Sequence, residues 1–206
     1  LEKHVGHKNP TMFGTPNYFL NAVGLSDAGI EKALTETFPE YLNEKPAPII
    51  GNIVAYSLAD FEKLTQEITK CNPDIIEVNI SCPNVDNAYG KPFSCSAVDA
   101  AKVTKVVRAN TDKPIVIKLT PNVPSIAEIA LACAEEKADG FTLINTVAGM
   151  GIDVNLRRAI LTNKSGGVSG PAIKPVAVKA VYDVFKATGL PIIGTGGVMN
   201  GEDAIE

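Results

Sequence analysis

Ile75-Ile-Glu-Val-Asn-Ile-Ser-Cys-Pro-Asn84 is the stretch of this 206-residue sequence that decides the fold. It begins as a short β-branched run, and asparagine, serine and proline follow where the run ends. Residues 49–55, 115–120, 140–147 and 191–198 have the same character. Nearly continuous apolar runs of this length are typical of parallel strands that are buried on both faces. The sequence therefore predicts five such strands.

Helical patterns lie between these runs and begin at recognisable caps. A serine is followed three residues later by an acidic residue in the pairs Ser57/Asp60, Ser96/Asp99 and Ser125/Glu128. Such spacing satisfies the free amides of a helix start. A fourth helix, near residues 173–186, is expected to end before Gly189, where glycine can adopt the left-handed cap. Cys71 and Cys133 fall on or beside these helices and are interpreted as structural.

Strand and helix alternate without a break in composition, which indicates a single α/β domain, either a (β/α)₈ barrel or a doubly wound sheet. Two observations favour the barrel. Polar residues follow most strands at the carboxyl end, where a barrel gathers its catalytic groups. The fingerprint G-x-G-x-x-G of a dinucleotide fold is absent after the first strand, whereas glycine turns occur late in the chain.

A closed barrel needs about eight strands and typically about 250 residues. We therefore expect residues 1–206 to form one incomplete (β/α)₈ TIM barrel domain, with about five of its eight strands present. Two strands at the N-terminus and one at the C-terminus would complete it.

Composition excludes several classes of function. Lysine and arginine number 19 against 23 acidic residues, a net charge of −4, which offers no basic field for nucleic acid. No apolar run approaches the roughly 20 residues that span a bilayer. Four cysteines do not make a disulfide scaffold, so a soluble protein of the reducing cytoplasm is expected. His4 and His7 lack further ligands at suitable spacing, and no metal site is predicted.

Asparagines recur beside strand ends or loops at Asn21, Asn79, Asn84 and Asn145. Each carries a neutral donor and acceptor, so a ring of them suits a flat heterocycle whose edges alternate C=O and N–H. A cyclic diamide is the substrate that this pattern indicates. The alternative of isolated turn residues accounts well for Asn21 and Asn84 and less well for the two at strand ends.

Lys118 lies within an apolar strand, where an unpaired ammonium would be costly. It requires an anionic or electrophilic partner, such as a reduced flavin ring, a phosphate or a carbonyl group, unless its side chain simply reaches solvent. The glycine-rich residues 165–171 and 194–197 are candidate phosphate loops, because both expose backbone amides and the first leads into a helix.

Several segments of the chain together resemble the soluble class 1 dihydroorotate dehydrogenases, and most closely their NAD-linked branch, class 1B. The matching segments are Leu20-Asn-Ala-Val-Gly-Leu25, Glu77-Val-Asn-Ile-Ser-Cys-Pro-Asn-Val85, Ile117-Lys-Leu-Thr-Pro-Asn-Val123, Ile144-Asn-Thr-Val-Ala-Gly-Met150, Gly166-Gly-Val-Ser-Gly-Pro-Ala-Ile-Lys-Pro175 and Ile193-Gly-Thr-Gly-Gly197. The resemblance implies an FMN-filled barrel that oxidises dihydroorotate to orotate in de novo pyrimidine (UMP) biosynthesis.

The resemblance also implies roles for individual residues. Cys82 would be the base that takes the C5 proton, with Cys95 a second candidate because related dihydropyrimidine dehydrogenases use a loop cysteine near that position. The substrate would contact Asn21, Ala22, Val23, Gly24, Leu25, Asn79, Asn84, Asn145 and Thr146. FMN would contact Asn52, Asn79, Lys118, Ile144, Gly170, Gly196 and Gly197, and Lys118 would stabilise negative charge on the reduced ring.

Partners follow from the same resemblance. A class 1B enzyme passes electrons to a subunit that carries FAD and a 2Fe–2S cluster and then to NAD, and a homodimer is expected. Two other hypotheses stay open: a reductase of uracil or thymine similar to dihydropyrimidine dehydrogenase, and a barrel fragment that has no activity.

Overall fold

A computed structural model describes residues 3–44, 47–81 and 92–206 of the chain. Strands alternate with helices over most of this length, as the patterns predict. The strands are β1 (Met12–Gly14), β2 (Phe19–Asn21), β3 (Ile50–Ile53), β4 (Ile75–Asn79), β5 (Ile115–Lys118), β6 (Gly140–Leu143), β7 (Val147–Met150), β8 (Ile152–Asp153), β9 (Arg158–Ala159), β10 (Ser165–Ser169) and β11 (Ile192–Gly194). The α-helices are α1 (Ile30–Lys32), α2 (Phe38–Glu44), α3 (Leu58–Lys70), α4 (Ala97–Ala109), α5 (Ile126–Glu135), α6 (Lys174–Thr188) and α7 (Gly201–Ile205).

The central sheet is parallel and has five strands in the order β11-β6-β5-β4-β3. These are the five strands that the apolar runs predict, each shorter than its run. One interpretation is wrong in detail: residues 140–147 do not form one strand. β6 ends at Leu143, and Val147 begins β7 in a different sheet. The intervening Asn145 and Thr146 carry hydrogen-bonding side chains, which a doubly buried strand does not accommodate.

The predicted caps begin the helices. The side chains of Ser57, Ser96 and Ser125 each accept a hydrogen bond from a backbone amide in the first turn of α3, α4 and α5. Gly189 ends α6 in the left-handed conformation, with φ of 66°. Helices α3, α4, α5 and α6 each contact the next one along the chain. They therefore form one continuous layer on the sheet.

The two faces of the parallel sheet differ in polarity. Side chains alternate between faces along each strand. Gly51 lies on the helix side, since a Cβ built there would be 2.5 Å from Ile68 of α3. The helix side is apolar and carries Ile53, Ile76, Val78, Ile117, Phe141 and Leu143, all of them buried. The other side is called here the inner face; its register places Asn52, Glu77, Asn79, Lys118 and Thr142 together.

A second sheet is antiparallel and has the order β1-β2-β10-β7. Its own small core consists of Leu20, Ala22 and Leu161. This sheet corrects the interpretation of residues 165–169 as a phosphate loop. Gly166 and Gly167 belong to β10, which pairs with β2 on one side and β7 on the other, so their backbone groups serve the sheet. Of the glycines in residues 165–171, only Gly170 lies outside β10, directly before the following helix.

The N-terminal segment contains both strands and helices. Besides β1 and β2 it contains a helical stretch in which α1 and α2 are joined by a π-helical segment, Ala33–Thr37. None of the residues of this stretch is fully buried, and its sequence lacks the capping pattern of the later helices. Within the described ranges, no helix is both long enough and apolar enough to cross a membrane.

Candidate functional site

The short link between the two sheets carries three of the predicted site residues, Ile144, Asn145 and Thr146. Each is held by a backbone hydrogen bond to a different neighbour. The amide of Ile144 donates to Thr195 O (2.8 Å), that of Asn145 donates to Leu119 O (2.9 Å), and the carbonyl of Thr146 accepts from Asn122 Nδ2 (2.9 Å). The link is therefore fixed at the carboxyl ends of the parallel strands.

Ser81 joins two of the predicted asparagines. Its hydroxyl donates to Asn79 Oδ1 (3.0 Å), and Asn145 Nδ2 donates to Ser81 Oγ (2.9 Å) and to Ser81 O (3.2 Å). Asn145 Oδ1 in turn accepts from the amide of Thr146 (2.8 Å). Ser81 is completely buried. The network sets the orientation of both amide groups, and sequence reasoning missed Ser81 because serine after a strand is a common turn residue.

Glu77 is the anionic partner of Lys118. Its Oε1 lies 3.5 Å from Lys118 Nζ and accepts a hydrogen bond from Asn52 Nδ2 at 2.5 Å. The side chain of Glu77 is only 12% exposed. Sequence reasoning required an anion for Lys118 without naming Glu77. The available signal was the alternation of Glu77 and Asn79, which places two polar side chains on one face of an otherwise apolar strand.

Asn21 reaches the same region through the second sheet. Its Nδ2 lies 3.5 Å from Gly167 O, and a Cβ built on Gly167 would be 2.1 Å from Thr146 Oγ1. One strand, β10, therefore lies between Asn21 and Thr146. Asn79, Asn145 and Thr146 are thus joined through hydrogen bonds, and Asn21 lies one strand away from them.

The residues that follow Asn21 have separate surroundings. Ala22 is completely buried in the small core, its amide donates to Thr11 O and its carbonyl contacts His7 Nδ1, so the predicted substrate contact of Ala22 is not supported by the structure. Gly24 has φ of +80° and packs against the ring of His7. Leu25 lines a largely apolar cavity of about 410 Å³ together with Asn52 and residues of α1 and α3.

The three predicted phosphate glycines converge on the start of α6. A Cβ on Gly197 would lie 2.8 Å from the amide nitrogen of Lys174 and 3.0 Å from Gly170 O. A Cβ on Gly196 would lie 2.9 Å from Ala177 and 3.3 Å from Ile144. Only glycine fits at these two positions, and their amides lie beside the N-terminus of a 15-residue helix.

Two predicted residues, Cys82 and Asn84, lie outside the described residues. Cys95, the second candidate base, is exposed at the end of the short 3₁₀ helix Phe93–Cys95. In the described part of the chain, no three His, Cys, Asp or Glu side chains are grouped to hold a metal ion. His4 Nε2 instead contacts Tyr56 Oη (3.1 Å), and His7 Nδ1 contacts Ala22 O (3.0 Å).

Comparison with known proteins identifies the family of the chain. The sequence profile of the family described as dihydroorotate dehydrogenase matches residues 1–206, which is the whole chain. The chain belongs to the dihydroorotate dehydrogenase family. The inner face and the link from Ile144 to Thr146 are therefore the candidate active site of a member of this family.

Three of the most similar curated relatives are described as "Dihydroorotate dehydrogenase B (NAD(+)), catalytic subunit". The protein from Geobacillus sp. (strain WCH70) is 42% identical over 206 residues, covering 100% of this chain and 65% of the relative. The protein from Citrifermentans bemidjiense is 42% identical over 207 residues, covering 100% and 67%. The protein from Bacillus thuringiensis (strain Al Hakam) is 43% identical over 202 residues, covering 98% and 65%. The chain thus spans about two thirds of the length of these dihydroorotate dehydrogenases.

A solved structure outside the family gives a weaker match. The carboxyl transferase domain of Rhizobium etli pyruvate carboxylase, with pyruvate and biocytin, superposes with a TM-score of 0.41 at 17% identity, covering 75% of this chain and 23% of that chain. A superposition of this quality supports no conclusion about the fold or the function.

The residues of this dihydroorotate dehydrogenase family member fit a flavin nucleotide. Thr142 is buried beside Lys118, and its Oγ1 has no hydrogen-bond partner among the described residues. The ammonium of Lys118 and the amides of Asn52 and Asn79 lie on the same inner face. These groups can pair with the alternating C=O and N–H groups at the edge of a flavin ring. The Gly196–Gly197 turn beside α6 offers the amides that a phosphate needs.

Proposed function

We propose that the full-length protein containing this chain is an FMN-dependent dihydroorotate dehydrogenase that converts dihydroorotate to orotate in de novo pyrimidine (UMP) biosynthesis. The observation that carries the proposal is the network in which Ser81 orients the amides of Asn79 and Asn145. Asn79 Nδ2, which donates to no described residue, and the second lone pair of Asn145 Oδ1 supply a donor and an acceptor of the kind that a cyclic diamide requires. The family membership of the whole chain supports the same reaction.

Residues 1–206 are proposed to be one part of a single (β/α)₈ barrel. The parallel strands follow one another in chain order across the sheet, whereas a doubly wound fold reverses its strand order. Helices α3 to α6 form one layer, as on the outside of a barrel. The two edge strands expose apolar side chains, 45% of Ile50 in β3 and 38% of Ile193 in β11. Further strands of the full-length protein would cover both.

Substrate is proposed to contact Asn21, Asn79, Asn84, Asn145 and Thr146 through side chains and to lie beside Val23, Gly24 and Leu25. Cys82 directly follows Ser81 and is proposed as the base that takes the proton from C5 of dihydroorotate. A thiol has an ordinary pKa of about 8.5, which suits a base near neutral pH when its surroundings assist. When bound, FMN supplies the acceptor for the two electrons that leave the substrate with the C6 hydrogen.

FMN is proposed to contact Asn52, Asn79, Lys118, Ile144, Gly170, Gly196 and Gly197. Lys118 would place its ammonium against the ring, and the two glycines would receive the phosphate beside α6. The positive end of that helix favours the phosphate without a basic side chain.

The partner proteins and the location are also proposals. The relatives are named catalytic subunits of an NAD(+)-linked enzyme, which supports a partner subunit carrying FAD and a 2Fe–2S cluster. A homodimer and a cytoplasmic location are part of the same proposal.

The test uses the full-length protein. After purification we expect bound FMN, visible by its absorbance, and turnover of dihydroorotate that exceeds turnover of uracil. Faster reduction of uracil or thymine would favour the dihydropyrimidine dehydrogenase alternative. A folded protein with neither flavin nor turnover would reject the proposed function.

The base is tested separately by C82S. We expect its turnover at neutral pH to fall by about 10²–10⁴-fold, the usual contribution of a positioned base. C95S is the matched control and is expected to keep parental turnover. Parental turnover in C82S combined with a loss in C95S would transfer the role to Cys95.

A further inference from the structure

Glu77 is the only carboxylate among the polar residues that the strand register places on the inner face of the described chain. Its side chain is 12% exposed, and burying a carboxylate is costly unless it is paired and hydrogen-bonded. The two side chains that it contacts, Asn52 and Lys118, are residues that the proposed function assigns to FMN. None of the residue roles assigned above includes Glu77.

The register explains how one carboxylate serves both neighbours. Glu77 lies directly opposite Asn52 on β3, and Lys118 on β5 lies opposite Asn79, two residues further along β4. Glu77 is therefore one layer deeper in the sheet than Lys118. The same oxygen, Oε1, accepts from Asn52 Nδ2 at 2.5 Å and lies 3.5 Å from Lys118 Nζ. Glu77 thus links the Lys118 side chain, which is 26% exposed, to Asn52 on β3.

We propose that Glu77 is a positioning residue for the flavin site: it holds Lys118 and Asn52 in place and offsets the charge that Lys118 presents to the ring. This inference rests on the proposed function. An ammonium without the carboxylate would favour the more negative, reduced flavin more strongly. Glu77 thus lowers the reduction potential of bound FMN by acting through Lys118.

The experiment measures the reduction potential of FMN bound to the full-length protein and to its E77Q variant. Glutamine keeps an oxygen that can accept from Asn52 and removes the charge. In E77Q the charge of the Lys118 ammonium is no longer offset by a carboxylate 3.5 Å away, so we expect the preference of the site for reduced over oxidised FMN to rise on the order of tenfold. For a two-electron couple this is a rise of about 30 mV.

The matched control is D139N. Asp139 Oδ2 pairs with Arg108 Nη1 at 2.9 Å, so this change also removes one carboxylate charge from an ion pair. Asp139 directly precedes β6 and lies at the amino end of the sheet, away from the proposed FMN contacts. We expect no shift in D139N. A shift in E77Q no larger than that in D139N would overturn the inference.

The route through Lys118 is tested by combining E77Q with K118M. In the K118M background Glu77 has no ammonium to hold in place or to offset. Replacing Glu77 by glutamine there should then change the potential much less than it does in the parent. An equal shift with and without Lys118 would show that Glu77 acts on the ring directly, which contradicts the positioning role.

Two further outcomes are decisive. If E77Q does not fold, E77D takes its place, since it withdraws the carboxylate by one methylene, and an unchanged potential in E77D would overturn the inference. FMN lost from folded E77Q but kept by K118M would also contradict action through Lys118. A parent protein without flavin would reject the proposed function itself, whereas failure of the variants alone rejects only the role of Glu77.

Discussion

Replacing Ser81 by alanine tests the hydrogen-bond network that orients the two site asparagines. The change removes the bond from Ser81 Oγ to Asn79 Oδ1 (3.0 Å) and the bond from Asn145 Nδ2 to Ser81 Oγ (2.9 Å). Neither asparagine is left without a partner, because the amide and the carbonyl of Ser81 remain within 3.2 Å of them. At about 0.5–1.5 kcal/mol for each bond, S81A should lower the free energy of unfolding by about 1–3 kcal/mol.

The assay is urea denaturation of the full-length protein, with the free energy of unfolding taken by linear extrapolation. The KM for dihydroorotate is measured in parallel and should rise, since both amides lose the group that orients them. S96A is the control, because it removes the cap of α4 and should cost about 1 kcal/mol without altering the KM. An S81A variant with parental stability would refute the energetic reasoning. An equal rise in KM for both variants would show that general destabilisation is responsible.

Three more predictions concern the scaffold of the full-length protein. G167A should lose about 1–3 kcal/mol of stability in urea, because the new Cβ would lie 2.1 Å from Thr146 Oγ1, whereas G194A, whose Cβ meets nothing within 4 Å, should cost less. Burial raises the pKa of the Cys133 thiol to about 11, so iodoacetamide at pH 8 should modify Cys133 only after unfolding, as mass spectrometry would show. Because this pKa is raised in the folded state, the parent should lose stability relative to C133A as the pH rises from about 9 to 11, where only the unfolded thiol ionises.

The parallel sheet and its helices could be predicted because their signals are local. Each apolar run contains its own evidence for a buried strand, and each serine cap lies within four residues of the helix that it begins. The five strands and the four main helices follow from such short windows. The order of these five strands across the sheet is also their order along the chain.

The antiparallel sheet could not be predicted in the same way. Its strands are short, and β10 contains two glycines, which are rare inside strands. Its decisive pairing joins Asn21 to Gly167, residues 146 positions apart. The pattern of Ser165-Gly-Gly-Val-Ser169 is equally typical of a loop, and only the strands on either side decide otherwise.

The residues of the candidate site show the same difference between local and long-range signals. Asn79, Asn145 and Lys118 were found because polar side chains at the ends of apolar strands conflict with local burial. Ser81 and Glu77 were missed because each is defined by what it contacts: Ser81 by an asparagine 64 residues away, Glu77 by a lysine and an asparagine on neighbouring strands. Because the sequence predicted β4 to be buried on both faces, the polar character of its inner face was not predicted.

The link from Ile144 to Thr146 explains why the two sheets depend on each other in the site. Asn145 is oriented from the parallel sheet through Ser81, whereas Thr146 is packed against Gly167 of the antiparallel sheet. The two residues are adjacent, so a displacement of either sheet moves both side chains. Asn21 occupies the far side of β10 and is located by the same strand. The antiparallel sheet therefore sets the distance between Asn21 and Asn145, and with it the width of the site that a substrate ring would have to fit.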